Sequence, residues 1–334
     1  MSEFVSARAL GLGVIIGGVP INGAQSFELI QESPYSAARF RLTLAMNAPG
    51  TGAGFYASMG PDTIRVDIRA DVGLSAGSLT FEGQIDSVMI DVGAGVALVS
   101  GRDFTARLID AEVSASFSNQ TASAIANQFA QAAGLTAQVT TTTTPIGQYY
   151  ELAHTGSALA LHSRHPTRWD LLIDLAELED FVVAVTGSTF VFGPKPSTPP
   201  LVLSYQRDLM ELTIDRAVGL LEPTVTIKSW NPRLQSGFTA TAGSTSANAV
   251  TLVKPNLTEA QVTAYAQREQ ARLAAQSVLL RVVMPGEFTL APSSLVQLQD
   301  AGPFIDGLYR LRSVERRIDR ASGFIQRIEA TKVG

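Results

Sequence analysis

There is no cysteine among the 334 residues. That excludes disulfide scaffolds, thiolate metal sites, iron–sulfur clusters and cysteine nucleophiles. Lysine is scarce, with four residues against twenty-one arginines, and charged residues of both signs make up only 16%. Basic residues number 25 and acidic ones 30, for a net charge of −5. A dedicated nucleic-acid binder would carry a basic excess. No long apolar run exists either. The uncharged stretches between Leu42 and Asp62 and over Ser236–Val253 are full of Gly, Ser, Thr, Asn and Pro, which no membrane-spanning helix would be. The opening MSEFVSARALGLGVIIGGVP reads as a poor secretory signal, because Glu3 precedes the first Arg and glycines break the apolar run Leu10–Ile16.

What is present is apolar: 46% of the residues, too many for intrinsic disorder. The length suits two or three domains with sizeable cores. A low charge fraction suits a protein that covers much of its surface with copies of itself.

The first hundred residues predict strands. Phe40, Leu42, Leu44 and Met46 alternate with Arg39, Arg41, Thr43 and Ala45, and Ile64, Val66 and Ile68 alternate with Arg65, Asp67 and Arg69. A period of two puts each apolar set on one sheet face. Leu79–Val92 and Val96–Arg102 continue the pattern across a glycine turn at 93–95, and Asn47–Gly54 reads as a loop. The character changes near Arg102. Gln120–Gly134 predicts a helix, with Ala124, Ile125, Phe129 and Ala132 as its stripe, and a second helix begins near Pro166 with Trp169, Leu172, Ile173 and Ala176 inside. A hairpin follows at Phe181–Phe192, and the proline-rich 193–200 reads as a linker. Strands resume at Leu201–Tyr205, Leu209–Ile214 and Thr224–Trp230. Ser236–Asn248 reads as flexible. Thr258–Ser277 predicts a helix opened by a Thr258/Gln261 capping box. Strands close the chain near Leu279–Met284, Glu287–Leu290, Leu295–Leu298, Tyr309–Ile318 and Phe324–Ala330.

An internal echo runs through this order. Pro61 precedes Ile64 and a strand, and Pro292 precedes Leu295 and a strand. Gly83 leads to Ser87-Val88, and Gly307 leads to Ser313-Val314. Two β domains could share such features by chance, or by duplication.

Reactive constellations are thin. His154, His162 and His165 fall in one stretch, but no acidic cluster completes a metal set, so solvated loop histidines are the simpler account. No G-x-S-x-G exists, which argues against a Ser–His–Asp hydrolase. Gly11, Gly13, Gly17 and Gly18 have the wrong spacing for a dinucleotide fingerprint. Glu177, Glu179 and Asp180 sit at a helix end, as a solvated face would. Arg310, Arg312, Arg316, Arg317 and Arg320 could serve an interface, but ordinary strand-face charge paired with Glu315, Asp319 and Glu329 explains them as well. No catalytic, cofactor-binding or metal-binding residue is assigned, and no enzyme activity is expected.

Several short motifs nevertheless stand in a telling order. Gly101-Arg102-Asp103-Phe104-Thr105-Ala106-Arg107-Leu108-Ile109-Asp110 resembles the GRD-T-LLID pattern of phage tail baseplate hub proteins of the late-control D type. Phe117–Ala126 resembles that family's F-N-TASEIA helix, and Thr167-Arg168-Trp169-Asp170-Leu171-Leu172 its T-WDLL. Gly187-Ser188-Thr189-Phe190 resembles its middle hairpin and Ser229-Trp230-Asn231-Pro232 its SWDP, with Asn for the usual Asp. Gly307 through Phe324 resembles its closing segment, with Glu315 where His is common.

The resemblance implies an α+β, mainly β chain. Two tube-like antiparallel β-barrel domains, at 1–102 and 201–334, would flank a smaller α+β insertion domain at 103–200, the second barrel domain carrying one helix. It implies a structural homotrimer at the virion tail tip, joining a six-fold tail tube to a three-fold central spike. Expected partners are tail tube or distal tail proteins, the spike and the tape-measure protein. DNA would pass the lumen without specific binding, and no membrane anchor or cofactor is expected. The alternatives are the hub of a bacterial contractile injection system, or a tail-associated protein that binds or degrades cell wall.

Overall fold

The computed structural model describes residues 11–32, 36–47, 51–70, 77–113, 117, 120–143, 167–194, 198–217, 223–231, 235–243, 249–255, 257–319 and 321–333. Strands form where alternation demands them: β1 (Gly11–Ile16), β2 (Val19–Ile21), β3 (Ala24–Glu32), β4 (Arg39–Ala45), β5 (Thr63–Ala70), β6 (Gly77–Asp91) and β7 (Val96–Asp103). Phe40, Leu42, Leu44, Ile64, Val66 and Ile68 are buried, while Arg39, Arg41, Arg65 and Arg69 stay in water. A short helix, α1 (Ala53–Ala57), interrupts what the glycines suggested was pure loop, and buried Tyr56 holds it down.

The next stretch alternates helix and strand: α2 (Ala106–Ile109), α3 (Ala122–Ala132), β8 (Thr136–Val139), α4 (Arg168–Glu179), β9 (Phe181–Thr186) and β10 (Thr189–Pro194). Threonines start both long helices. Thr121 Oγ1 accepts from Ala124 N at 3.2 Å, and Thr167 and Asp170 form a reciprocal capping box. Such caps contribute about 1 kcal/mol each. Gly134 ends α3 with a φ of +68°, a conformation that favours glycine.

The last part contains β11 (Leu201–Ser204), α5 (Tyr205–Asp208), β12 (Glu211–Arg216), β13 (Thr224–Asn231), β14 (Ser236–Ala242), β15 (Ala249–Val253), α6 (Glu259–Ala275), β16 (Val278–Pro285), β17 (Leu295–Gln299), β18 (Gly307–Asp319) and β19 (Gly323–Lys332). The capping box on α6 is present as expected. Two expectations are corrected. Ser236–Ala242 is not flexible chain but strand β14, because its small residues pair along β13. Glu287–Leu290 is not a strand but a turn, because the Glu287 carboxylate accepts from Thr289 N at 2.5 Å and Leu290 N at 3.1 Å. That local bonding competes with a ladder.

The chain is mainly β. One thirteen-stranded sheet runs β12-β16-β19-β18-β3-β4-β7-β6-β5-β1-β2, with β17 and β11 branching from β18. Smaller sheets run β8-β10-β9 and β14-β13-β15. Among the described residues no strand pairing closes either half of the large sheet into a barrel. Four apolar cores follow. One lies under β1–β7, and one under β11–β12 and β16–β19. A third joins α3, α4 and β8–β10, and a fourth joins α6 to β13–β15.

The internal echo is carried by topology. The order β3-β4-β7-β6-β5-β1 in the opening part repeats as β12-β16-β19-β18-β17-β11 in the closing part. Each copy is centred on a long hairpin with a bulge in its first strand, between Ile85 and Ser87 in one and between Leu311 and Ser313 in the other. The bulges superpose Ser87-Val88 on Ser313-Val314, the same pair that the sequence echoed. One detail differs: β1 joins β5 antiparallel, whereas β11 joins β17 parallel.

Candidate assembly interface

The two halves of the large sheet meet inside the chain, where the distal half of β18, Ser313–Asp319, pairs antiparallel with β3. The bulge before it decides which side chains face inward. Tyr309 and Leu311 are buried, so strict alternation would next bury Ser313, Glu315 and Arg317. The extra residue flips the parity. Val314, Arg316 and Ile318 turn inward instead and are at most 1% exposed. From β3, Phe27 and Leu29 meet them, equally buried.

Arg316 is therefore a guanidinium inside the joint, not a strand-face charge. Its Nη1 donates to Gln31 Oε1 of β3 at 2.5 Å, and its Nη2 donates to the Leu290 carbonyl. Nε finds no partner among the described residues. Burial pushes the guanidinium down to about 10, opposed by the attraction of Glu287, so Arg316 stays charged at neutral pH. Gln326 Oε1, fully buried across the hairpin, accepts from Glu287 N at 3.2 Å. The sequence signal for an inward Arg316 was its place midway between Val314 and Ile318. The bulge that makes the signal meaningful is invisible in the pattern.

The other arginines behave as strand-face charge. Arg317 pairs with Asp319 at 3.0 Å, Arg327 with Glu315 at 3.7 Å, and Arg281 with Glu329 at 3.0 Å. Arg310 donates to the Ser293 carbonyl at 3.2 Å. Arg320 and the three histidines lie outside the described residues. Among the described residues no group of His, Asp and Glu could hold a metal, and no helix is long and apolar enough to cross a membrane. Glu177 and Asp180 do not form a bare solvated face. They receive α6: Tyr265 Oη donates to Glu177 Oε2 at 3.2 Å, and Arg268 lies 3.6 Å from Asp180.

The 101–110 motif is a structural clasp. A Cβ on Gly101 would lie 2.0 Å from the Gln84 carbonyl oxygen and 2.8 Å from the Phe40 ring. Arg102 forks onto Asp86, the bulge residue of β6, at 2.7 and 3.1 Å, and onto Asp110 after α2 at 2.9 and 3.0 Å. Asp103 accepts from Thr105 N at 3.0 Å, and burial pushes its carboxyl up to about 6. The motif thus fixes the exit from the sheet into the helical part.

Two strand edges of the large sheet without a partner strand among the described residues occupy places in the repeat equivalent to those of β3 and β18 at the joint. One is the outer edge of β12, the end of the sheet path; the other is the distal half of β6, which β5 leaves after Gln84. Exposed apolar side chains mark both: Met89 and Val92 on one, Met210 beside the other. Val88 and Ile90 on β6, and Leu212 and Ile214 on β12, are only half-buried.

No family model matches the sequence, and no curated protein matches it. Solved structures do. The tail protein from Neisseria meningitidis MC58 is similar over 97% of this chain and 97% of its own, with a TM-score of 0.76 at 15% identity. The fold is shared with a solved tail protein. The 43 kDa tail protein of prophage MuSo2 from Shewanella oneidensis is similar over 97% of this chain and 98% of its own, with a TM-score of 0.73 at 18% identity. A type VI secretion system component of E. coli, c3393, described as similar to the T4 bacteriophage tail proteins gp27 and gp5, covers 98% of this chain at a TM-score of 0.58 and 11% identity. The likeness lies in the fold, kept over the whole length with little shared sequence, and it agrees with the motif order read from the sequence.

Proposed function

We propose that this chain is a structural hub at a phage tail tip, a homotrimer that joins a six-fold tail tube to a three-fold spike. The observation that carries the reading is the repeated half-sheet: one polypeptide holds two wedges of the same strand order. Three chains would then present six near-equivalent wedges around a lumen, which matches tube symmetry on one side and spike symmetry on the other. In the ring each half-sheet would become part of a tube-like barrel wall, with residues 1–102 and 201–334 as the wedges and 103–200 as the insertion between them. The net charge of −5 suits passage of DNA, since phosphate contacts by Lys and Arg would hold it. Tail tube or distal tail proteins, the spike and the tape-measure protein are the partners this role requires. The role is mechanical and needs no catalysis.

A bacterial contractile injection system is the second setting. The secretion-system component named above supports it, and the physics would be the same. Light scattering at micromolar concentration, with micrographs class-averaged down the particle axis, tests the hub. A three-chain mass and a central hole with six-fold-like walls are expected; a monomer would overturn it.

A further inference from the structure

The joint inside the chain is a template for a joint between chains. This inference rests on the hub reading and adds the contact that closes it. Within the chain, the distal half of the first hairpin strand of the closing copy (β18) pairs with the opening strand of the first copy (β3). The equivalent strand in the opening copy is β6, and the strand equivalent to β3 in the closing copy is β12. Both have an edge without a partner strand among the described residues. We infer that residues Ser87–Asp91 of β6 pair antiparallel with Thr213–Ala217 at and just beyond β12 of a second copy.

The register follows from the repeat. Val99 faces Val88 and Leu42, and Ile328 faces Val314 and Val282. Leu42 therefore corresponds to Val282, and their neighbours Phe27 and Leu29 correspond to Leu212 and Ile214. Inside the chain Arg316 faces Leu29, Glu315 faces Ile30 and Ser313 faces Glu32. Carried across, Ile90 faces Ile214, Met89 faces Asp215 and Ser87 faces Ala217 of the second copy. The burial pattern agrees. In the covered joint Val314, Arg316, Ile318, Phe27 and Leu29 are at most 1% exposed. In the open one the counterparts Val88, Ile90, Leu212 and Ile214 are half-buried and Val92, which answers to Ile318, is exposed, as side chains with one neighbour missing would be. Where Arg316 sits inside the chain, Ile90 stands at the free edge, so the second joint is apolar.

The contact joins one edge to a different edge, so each copy offers one of each to its neighbours, and repetition about an axis closes a ring. Pairing removes two edges that would otherwise template aggregation.

The absence of native cysteine makes the test clean. The double variant Met89→Cys/Asp215→Cys places thiols at two exposed positions that the register sets opposite. Opposed Cα atoms in an antiparallel pair lie about 4.5–5.5 Å apart, within disulfide reach. Met89→Cys/Thr213→Cys is shifted by two residues, to about 7–8 Å. After mild oxidation, non-reducing gels should show covalent dimers and trimers for the first pair, at least about tenfold more than for the second, and none for single-cysteine variants. Light scattering on the same samples separates the two claims. A three-chain mass without register-specific cross-links would overturn this pairing and leave the hub standing. A single-chain mass without cross-links would overturn both.

Discussion

Arg316→Met is a sharp probe of the joint between the two half-sheets. The native guanidinium is costly to hold: burial, partly offset by Glu287, pushes it down to about 10, a net cost of about 3 kcal/mol. Against this stand its two bonds, to Gln31 Oε1 and the Leu290 carbonyl. Hydrogen bonds from a charged donor contribute about 1.5–3 kcal/mol each, so together about 3–6. The bonds win, narrowly. Methionine fills similar space and removes the burial penalty, but leaves Gln31 and Leu290 unpaired. The expected net loss is about 1–3 kcal/mol, localised to the joint. Hydrogen exchange is the assay, because the two tryptophans lie in other parts of the chain. Peptides over 26–32 and 313–319 should exchange roughly 5–150-fold faster, the ratio that this free energy sets. Adding Gln31→Leu removes the second orphan and should restore part of the protection. Unchanged exchange over both strands in Arg316→Met would show that the guanidinium does not hold the halves together.

Gly101→Ala should lower stability by about 3 kcal/mol or more, since the new methyl meets backbone and a buried ring with no room to move; a wild-type melting curve would refute it. Trp169→Ala should cost roughly 3–5 kcal/mol, because the side chain is 3% exposed within the helical core; faster hydrogen exchange over α3 and α4 is the readout, and unchanged exchange there would refute it. Asp103→Asn concerns pH. The folded carboxyl titrates near 6, above its ordinary value of 3.8, so between these values the native state holds the extra proton. Stability should therefore fall as pH rises from about 4 to 6, by about 3 kcal/mol in all, and stay low above it. The asparagine variant should lose this slope and be the more stable form at pH 7; equal slopes for both proteins would refute the assignment.

How much of this was legible beforehand depends on whether the deciding interaction was local. Alternation placed β4, β5 and β7 because each buries every second residue under one face. Thr258 marked a helix start because a cap is made within three residues, and the helices expected from Gln120 and near Pro166 begin on such caps at Thr121 and Thr167. The repeat was visible only in a few residues, Pro61 and Pro292, Gly83 and Gly307, and Ser87-Val88 and Ser313-Val314, since the remainder of each copy keeps its strand order and not its side chains. The bulges at Asp86 and Arg312 were not legible. A bulge is chosen by the partner strand, and it alone decides that Arg316 points inward while Arg317 stays in water. The Ser236–Ala242 strand was missed for the same reason. Phe238, Ala240 and Ala242 do alternate with Thr239 and Thr241, but the run is short and its residues small, and it forms a strand because β13 and α6 offer a ladder and a core. The clasp at 101–110 was recognised by resemblance, but its reason, a glycine without room and an arginine forked between two carboxylates, appears only in three dimensions.

The two insertions sharpen the argument about assembly. One leaves the sheet after β7 and returns at β11. The other, β13 to α6, leaves after β12 and returns at β16, at the position where the opening copy has only the short β3–β4 connection. The two meet each other through Tyr265, Arg268 and Glu177. Among the described residues neither supplies a strand to the free edges of β6 or β12. Had an insertion been recruited to cap such an edge, it would have sealed the sheet as natural proteins commonly do. Instead, both edges keep half-buried apolar side chains at positions whose counterparts inside the chain are fully covered. A repeat that covers one joint and leaves its copy open has the geometry of a unit that is completed by its own kind.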